Sequence, residues 1–353
     1  PDIQPKATEY ISEMIELIED LISKNHAYEK NGHVLFHVPS YENYGKLSKR
    51  NRDEQIAGSR VEVAPFKKDP ADFVLWKPSN DEQPGWNSPW GYGRPGWHTE
   101  CSAMSEKTLG LPFDIHGGGR DLTFPHHENE IAQSCCSSAG TSDPKSYVNY
   151  WMHNGFVTVN GEKMSKSLGN ISLVKDLTED NHGEVIRLSL LSSHYRQALD
   201  WNDKVVHQAK KLLDKLYKVL SDLKDIKPSE INESSMSIIS PLLDDLNTPG
   251  LLANLNKMIK ELKNISDKDL PEFKSKLLLA NELMGICQED YLDWFNHDKE
   301  GLDTNMIDAL ILERLDAKKN KNFDKADSIR QQLLDMNIEI KDTESGTDWT
   351  LKV

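Results

Sequence analysis

The chain has 353 residues, 57 acidic against 42 basic side chains, and a formal net charge of -15. That length suits two or three domains at roughly 150 residues each, and the negative balance excludes a sequence-independent DNA coat. No apolar run reaches the length of about 18 residues that a spanning helix needs, no charged-then-apolar leader opens the chain, and only four cysteines occur; these features predict a cytoplasmic protein with no membrane partner.

In chain order, the opening PDIQPKATEYISEMIELIEDLISKNHAYEKNG reads as one helix, with Ile11, Met14, Ile15, Ile18, Leu21 and Ile22 on a stripe and Asn31-Gly32 beyond it. HVLFHV reads as a strand. Residues 39 to 95, rich in Pro, Gly, Trp and charge, read as an irregular insertion. From Gly96 to Ser167, short strands and glycine turns alternate with helical stretches, an α/β pattern. From Asp203 the periodicity is helical: Val205, Val206, Ala209, Leu212, Leu213, Leu216, Val219, Leu220 and Leu223 form one apolar stripe. Further helices are expected from Pro241 to Ile265 and from Pro271 to Cys287, making residues 203 to 290 a small bundle. One more helix, MIDALILERLDAKKNKNFDKADSIRQQLLDM, precedes a β-hairpin in IEIKDTESGTDWTLKV.

Three motifs carry chemistry. In FPHHENEIAQSCC, a helix starting after Pro125 puts His126 and Glu130 on one face, one turn apart, while His127 and Glu128 point elsewhere. Cys101 in GRPGWHTECSAM is the candidate third ligand of a zinc site; the alternative is a buried small hydrophobe beside a capped helix. In NGEKMSKSLGN, Lys163 and Lys166 lie three apart in a loop with flanking glycines, suited to a polyphosphate; the alternative is a solvated loop. HGGGRDL is a weaker signal: its glycines let a ligand approach the backbone, and Asp121 is placed to accept from ribose hydroxyls, or the run is an ordinary turn.

Together GWHTECSAM, HGGGRDLTFPHHENEIAQ and WMHNGFVTVNGEKMSKSLGN resemble the class I aminoacyl-tRNA synthetases, most closely the cysteinyl-tRNA synthetases, and the likeness runs from PKATEYI to GTDWTLKV. The resemblance implies a multidomain α/β plus α protein. The expected parts are the end of the first Rossmann half (1–24), a connective insertion (25–95), the second Rossmann half with the zinc site (96–160), the KMSKS loop and stem-contact region (161–202), a helical bundle (203–300) and an anticodon-binding α+β domain (301–353). It implies ATP-dependent activation of L-cysteine, with Mg2+, and transfer to tRNA(Cys) by a monomer. Cys101, His126 and Glu130 would be three of four zinc ligands, and Trp97 and His116 would line the amino-acid pocket. Gly118, Asp121 and the loop Lys163, Met164, Ser165, Lys166 and Ser167 would meet ATP, Lys163 and Lys166 acting in catalysis. Lys318, Asp327, Asp342 and Trp349 would face tRNA.

The family's HIGH-type motif and its upstream cysteine ligand are absent from these 353 residues, so the chain is expected to be a truncated synthetase, inactive by itself. Two other readings stay open: a cysteine:amino-sugar ligase, against which the helical bundle and the basic run at Lys318, Lys319, Lys321 and Lys325 speak, and a non-catalytic RNA-binding module, against which the KMSKS loop speaks.

Overall fold

The computed structural model describes residues 1–50, 54, 65–137, 141–297, 304–336, 338–343 and 346–351, in two compact units, Pro1–Phe156 and Val157–Val353.

In the first unit, helix α1 (Ile11–Ser23) buries Met14, Leu17, Ile18 and Leu21. It starts later than Pro5 suggests, after a single 3-10 turn at Ala7–Glu9. The helix also ends sooner than its sequence pattern indicates. Ala27–Lys30 is a strand, β1, paired antiparallel with β2 (His33–Phe36). Asn31 and Gly32 both have positive φ, 56° and 73°, so Asn-Gly forms the tight turn of a hairpin that fixes the register Lys30↔His33. The stretch expected to be irregular supplies two more strands, β3 (Phe73–Pro78) and β4 (Gly93–Pro95), completing an antiparallel sheet in the order β1-β2-β3-β4. Part of that stretch, residues 51–53 and 55–64, lies outside the described residues.

Helix α2 (Trp97–Leu109) follows, then β5 (Phe113–Gly119), helix α3 (His126–Cys136) and β6 (Val148–Asn154). Strands β5 and β6 pair in parallel. The core joins Leu17, Ile18 and Leu21 of α1 to Val34, Phe36, Leu75 and Trp76 of the sheet and to Ile131, Ala132, Cys135 and Tyr147. Gly117 to Gly119 are therefore strand residues rather than a turn. The reason for glycine is clearest at Gly118, where a Cβ would sit 2.8 Å from Cε1 of His127.

The second unit begins with β7 (Val157–Val159), β8 (Glu162–Lys163) and β9 (Leu199–Trp201), a small sheet in the order β8-β7-β9. Helices α4 (Val174–Asp180) and α5 (Gly183–Leu191) lie between β8 and β9. Helix α6 (Asp203–Asp222) is capped by Asn202, whose side chain accepts from the Val205 amide, and it buries Ala209, Leu213, Leu216, Tyr217 and Val219 as its stripe predicts. A short α7 (Glu233–Met236), then α8 (Thr248–Glu261), α9 (Leu270–Met284) and α10 (Tyr291–His297) complete the bundle. The helix expected from Pro241 is broken. Pro241 lies inside a 3-10 stretch, Ser237–Leu243, Asp245 and Leu246 take positive φ, and α8 starts afresh at the Asn247 cap.

One buried carboxylate ties this bundle together. Glu184 accepts from the amides of Cys287 and Gln288, both at 2.8 Å, and from the Tyr217 hydroxyl at 3.0 Å. Glu184→Ala strips three charge-assisted bonds from one buried and two partly buried donors and should cost roughly 3 kcal/mol, a fall of about 6 to 12 °C in the melting midpoint. A change under about 2 °C in thermal unfolding would contradict this role.

The C-terminal segment holds two helices where one was expected, α11 (Thr304–Lys319) and α12 (Phe323–Asp335). Lys321 turns left-handed at φ 57°, the Asn322 amide bonds back to Ala317 O at 2.8 Å, and the Asn322 side chain caps α12. The expected hairpin is present as β10 (Ile338–Thr343) and β11 (Gly346–Leu351). It closes over Ile307, Ile311, Ile329 and Leu333. Among the described residues no helix is long and apolar enough to cross a membrane.

Candidate metal centre and lysine loop

Gly96 starts α2 with extended φ and ψ, and a Cβ there would collide with Val74 O. Trp97 and Cys101 then follow one helical turn apart, sharing a face. Helix α3 buries all eleven of its residues, and seven of them are polar or charged: His126, His127, Glu128, Asn129, Glu130, Gln133 and Ser134. Burying so many polar groups is costly unless each has a partner or a task.

Most have one. Glu128 turns away from the other acids and accepts from the amides of Gly45 and Ser48, each at 2.8 Å, fastening that loop. Asn129 accepts from the Tyr44 hydroxyl. His127 Nδ1 lies 2.8 Å from His153 Nε2.

His126 and Glu130 are different. His126 Nδ1 is 2.7 Å from His98 Nδ1, and His126 Nε2 is 2.6 Å from Glu130 Oε1. Yet Glu130 Oε1 is fully buried with no hydrogen bond of acceptable geometry. When His126 donates its Nδ1 proton to His98, its Nε2 lone pair faces that carboxylate oxygen, so two acceptors confront each other. Cys101, His126 and Glu130 each bring a ligand atom, all within 4.8 Å of one another. A cation between them satisfies all three, so the donor set S, N and O fits zinc.

Around this cluster, burial disfavours the charged form of His98, His116 and His127. Burial pushes His98 and His127 down to about 3, and burial likewise lowers His116. Burial, then the Glu130 carboxylate, pushes the Cys101 thiol up to about 12, so a positive ion is needed to hold it as thiolate near neutrality. The other Glu130 oxygen accepts from the Tyr147 hydroxyl at 3.1 Å and lies 3.3 Å from His116 Nε2. A second trio, His116, His127 and Glu130, shares this glutamate.

Trp97 is 61 % exposed, and its ring lies 4.4 Å from that of His126. His116 stacks on Trp151 at 4.7 Å. Both residues expected to line an amino-acid pocket thus border the cluster. Sequence reasoning missed His98, His153, Tyr147 and Trp151, the partners that hold it. The only local signal was the histidine next to Trp97 and the aromatic run YWMHN. Gly118 is half-buried against His127, and Asp121 is exposed at the end of the glycine strand.

The lysine loop belongs to the second unit. Asn160 and Gly161, with φ 51° and 81°, make the turn between β7 and β8, and Asp200 Oδ1 accepts from the Gly161 amide at 2.6 Å and the Thr158 hydroxyl at 2.9 Å. Those donors hold the Asp200 carboxyl below its ordinary range. Asn170 then staples the loop, accepting from the Ser165 amide at 2.8 Å and donating to Lys163 O at 3.2 Å. Ser165 and Ser167 hydroxyls are 3.2 Å apart, and Met164 is half-buried. Lys163 and Lys166 are exposed. Neither ammonium pairs with an acidic side chain among the described residues, leaving both available to an anion.

The residues expected to face tRNA have other engagements. Asp342 accepts from both terminal nitrogens of Arg314 at 2.8 and 3.1 Å and from Lys318 at 2.8 Å, which hold its carboxyl far below the usual range. Trp349 donates to Asp308 at 3.2 Å. Asp327 is exposed.

Residues 1–211 match the family described as tRNA synthetases class I (C) catalytic domain. The chain is 51 % identical over 353 residues to the cysteine--tRNA ligase of Parvibaculum lavamentivorans, covering 99 % of this chain and 75 % of that protein. It belongs to the cysteinyl-tRNA synthetases. The cysteine--tRNA ligases of Xanthomonas campestris pv. campestris, 50 % identical over 350 residues, and Rhodospirillum rubrum, 49 % over 357, are each covered over 75 and 76 % of their length and each cover 99 % of this chain. Among solved structures, Mycobacterium tuberculosis methionyl-tRNA synthetase with methionyl-adenylate aligns at TM-score 0.49 and 15 % identity, over 80 % of this chain and 72 % of that one; the assignment rests on the sequence relatives. This synthetase is therefore an aminoacyl-tRNA ligase of class I, with an amino acid, ATP and tRNA as substrates.

Proposed function

We propose that this synthetase activates L-cysteine with ATP, selects it through a zinc ion held by Cys101, His126 and Glu130, and passes it to tRNA(Cys), working as a cytoplasmic monomer. The observation that carries the reading is the buried Glu130 Oε1, which faces His126 Nε2 at 2.6 Å without a hydrogen bond. When bound, zinc supplies a soft Lewis acid that favours a thiolate over a hydroxyl. This matters because cysteine and serine differ by one atom, and shape alone discriminates such pairs by only about 1 to 3 kcal/mol.

The chain's own groups perform the remaining tasks. Tyr147 and His116 hold Glu130 in one orientation from behind, and His98 fixes the tautomer of His126 through its Nδ1. Trp97 and His116 close around the amino acid. Gly118 and Asp121 meet the adenosine, the exposed carboxylate accepting from ribose hydroxyls. Lys163 and Lys166 neutralise charge that grows on the pyrophosphate as the amino-acid carboxylate attacks the α-phosphate, with Mg2+ as the nucleotide's counter-ion. Met164, Ser165 and Ser167 shape the loop against the nucleotide.

In this reading residues 1–24, 25–95, 96–160 and 161–202 build the activation machinery, 203–300 the supporting bundle, and 301–353 the anticodon-binding domain. Lys318 and Asp327, with the Asp342 and Trp349 hairpin as scaffold, would meet RNA there. Deleting residues 302–353 from the complete enzyme should leave cysteine-dependent pyrophosphate exchange within about twofold and weaken tRNA charging by about tenfold or more, since anticodon contacts supply binding and not chemistry. Parallel loss in both assays would count against that division. The metal assignment is tested by zinc analysis of Cys101→Ser, which should retain less of the ion than the parent; equal content would sink it.

A further inference from the structure

The trio Cys101, His126 and Glu130 engages only one oxygen of its glutamate. The other, Oε2, belongs to a second trio: His116, His127 and Glu130 each bring a ligand atom, all within 4.8 Å of one another. His116 Nε2 lies 3.3 Å from Oε2, and the His116 ring stands edge-on to that of His127 at 4.7 Å. The elements explain the meeting. His127 and Glu130 are three residues apart on α3, within one turn, and His116 comes from β5. Two residues further along that strand, Gly118 leaves room for the His127 ring: a Cβ there would lie 3.1 Å from His127 Nε2.

Two features of this trio are those of a cation site. His116 Nδ1 is buried without a hydrogen-bond partner, and neither neutral tautomer satisfies the ring. With the proton on Nε2, the buried Nδ1 lone pair meets no donor. With the proton on Nδ1, the Nε2 lone pair opposes the Glu130 carboxylate, a conflict that a cation between them resolves. The confrontation seen at His126 is thus repeated on the other oxygen. His127, in turn, is held as metal-bound imidazoles are. Its Nδ1 lies 2.8 Å from His153 Nε2, so a proton on Nδ1 passes a hydrogen bond to His153 and leaves the Nε2 lone pair for an ion; such an outer partner fixes both tautomer and ring orientation.

We propose that His116, His127 and the second oxygen of Glu130 form a further, weaker site for a borderline divalent cation such as Zn2+, and that filling it inhibits cysteine activation. This rests on the metal assignment proposed above and extends it to a two-ion state. Two imidazoles and a carboxylate suit Zn2+, Co2+ or Ni2+ better than Mg2+ or Ca2+. Two-metal sites hold their ions about 3.5 to 4 Å apart, a spacing that one bridging carboxylate spans. The second ion is the weaker because the first takes the Cys101 thiolate and shares the one carboxylate of the two trios, and like charges repel. Inhibition follows from the place of His116 on the amino-acid pocket. A second Lewis acid there offers the substrate thiolate two positions, only one of which aligns its carboxylate with ATP, and a misplacement of about 1 Å costs about a hundredfold.

The test uses the complete enzyme carrying its first zinc. Equilibrium dialysis against Zn2+, held at set free concentrations by a chelator, counts the ions in the absence of cysteine. Pyrophosphate exchange is then measured over the same range of free zinc, with the zinc that cysteine takes up allowed for in the buffer. The parent should bind a second ion per chain at free zinc well above that which fills the first, and exchange should fall as it binds. His127→Gln removes a ligand, whereas His153→Phe removes only the group that orients it. Both variants should keep the first zinc and the parent's melting midpoint. Both should weaken the second ion about tenfold or more and shift inhibition, relative to each variant's own uninhibited rate, by the same factor. A second ion indifferent to both substitutions would overturn the proposal, as would uptake without inhibition. So would loss of the first zinc in both variants, which would make the two trios one site. A parent that holds no zinc tightly would overturn the metal assignment as well, whereas one tight zinc and no second ion would overturn this inference alone.

Discussion

In the complete enzyme, Lys166→Ala should slow cysteine-dependent pyrophosphate exchange by about a hundredfold or more, while zinc content and thermal stability stay at the parent values. The physical basis is the exposed ammonium of Lys166 in a loop whose shape is fixed by other residues. Asn170 bridges Ser165 and Lys163, and Asp200 anchors the preceding turn through Gly161 and Thr158. Removing the ammonium therefore deletes charge without collapsing the loop. A preorganised donor aimed at charge that develops only in the transition state contributes about 2.7 to 4 kcal/mol. Such a loss appears in kcat, with a smaller change in the KM for ATP. Lys163→Ala should cost less. A fall of under about threefold in Lys166→Ala would show that the loop does not contact the reacting phosphates.

Glu130→Ala should abolish detectable zinc retention and reduce cysteine activation by more than about a hundredfold, because it removes the ligand shared by the whole cluster. Glu130 is the residue around which the site is organised. One oxygen confronts His126, and the other takes the Tyr147 hydroxyl and faces His116. Its burial is complete, so water cannot substitute for a lost cation. Tyr147→Phe separates structure from function. It frees one carboxylate oxygen without removing a ligand and should weaken zinc about tenfold, the usual effect of losing an outer hydrogen bond. If Glu130→Ala kept one zinc per chain and normal activity, the ion would have to lie elsewhere.

How much of this was legible beforehand depends on the range of the interaction. The i, i+4 pair His126 and Glu130 was readable because one helical turn sets their spacing, and Pro125 marks where that helix starts. The stripe of α6 was readable for the same reason. The Asn31-Gly32 hairpin was misread as a helix end because the apolar period of α1 runs up to it, although Asn-Gly is itself a hairpin signal. Strands β3 and β4 were hidden by Pro78, Gly93 and Pro95 at their ends, where pairing, not propensity, decides. The long C-terminal helix was split at Lys321, a residue that carries no sequence mark of left-handed geometry. His98, Tyr147 and Trp151 were beyond reach because they meet His126, Glu130 and His116 only through the tertiary fold. Asp200 was missed likewise: an acid 39 residues from Gly161 shows no local pattern.

The central claim is that Cys101, His126 and Glu130 hold an ion that recognises the substrate's sulfur. Zinc K-edge X-ray absorption of the complete enzyme, recorded with and without L-cysteine and L-serine, tests it most directly. The account predicts one zinc per chain, bound by sulfur, nitrogen and oxygen, whose sulfur count rises by one on adding cysteine and does not change with serine. An unchanged sulfur count with saturating cysteine would contradict it.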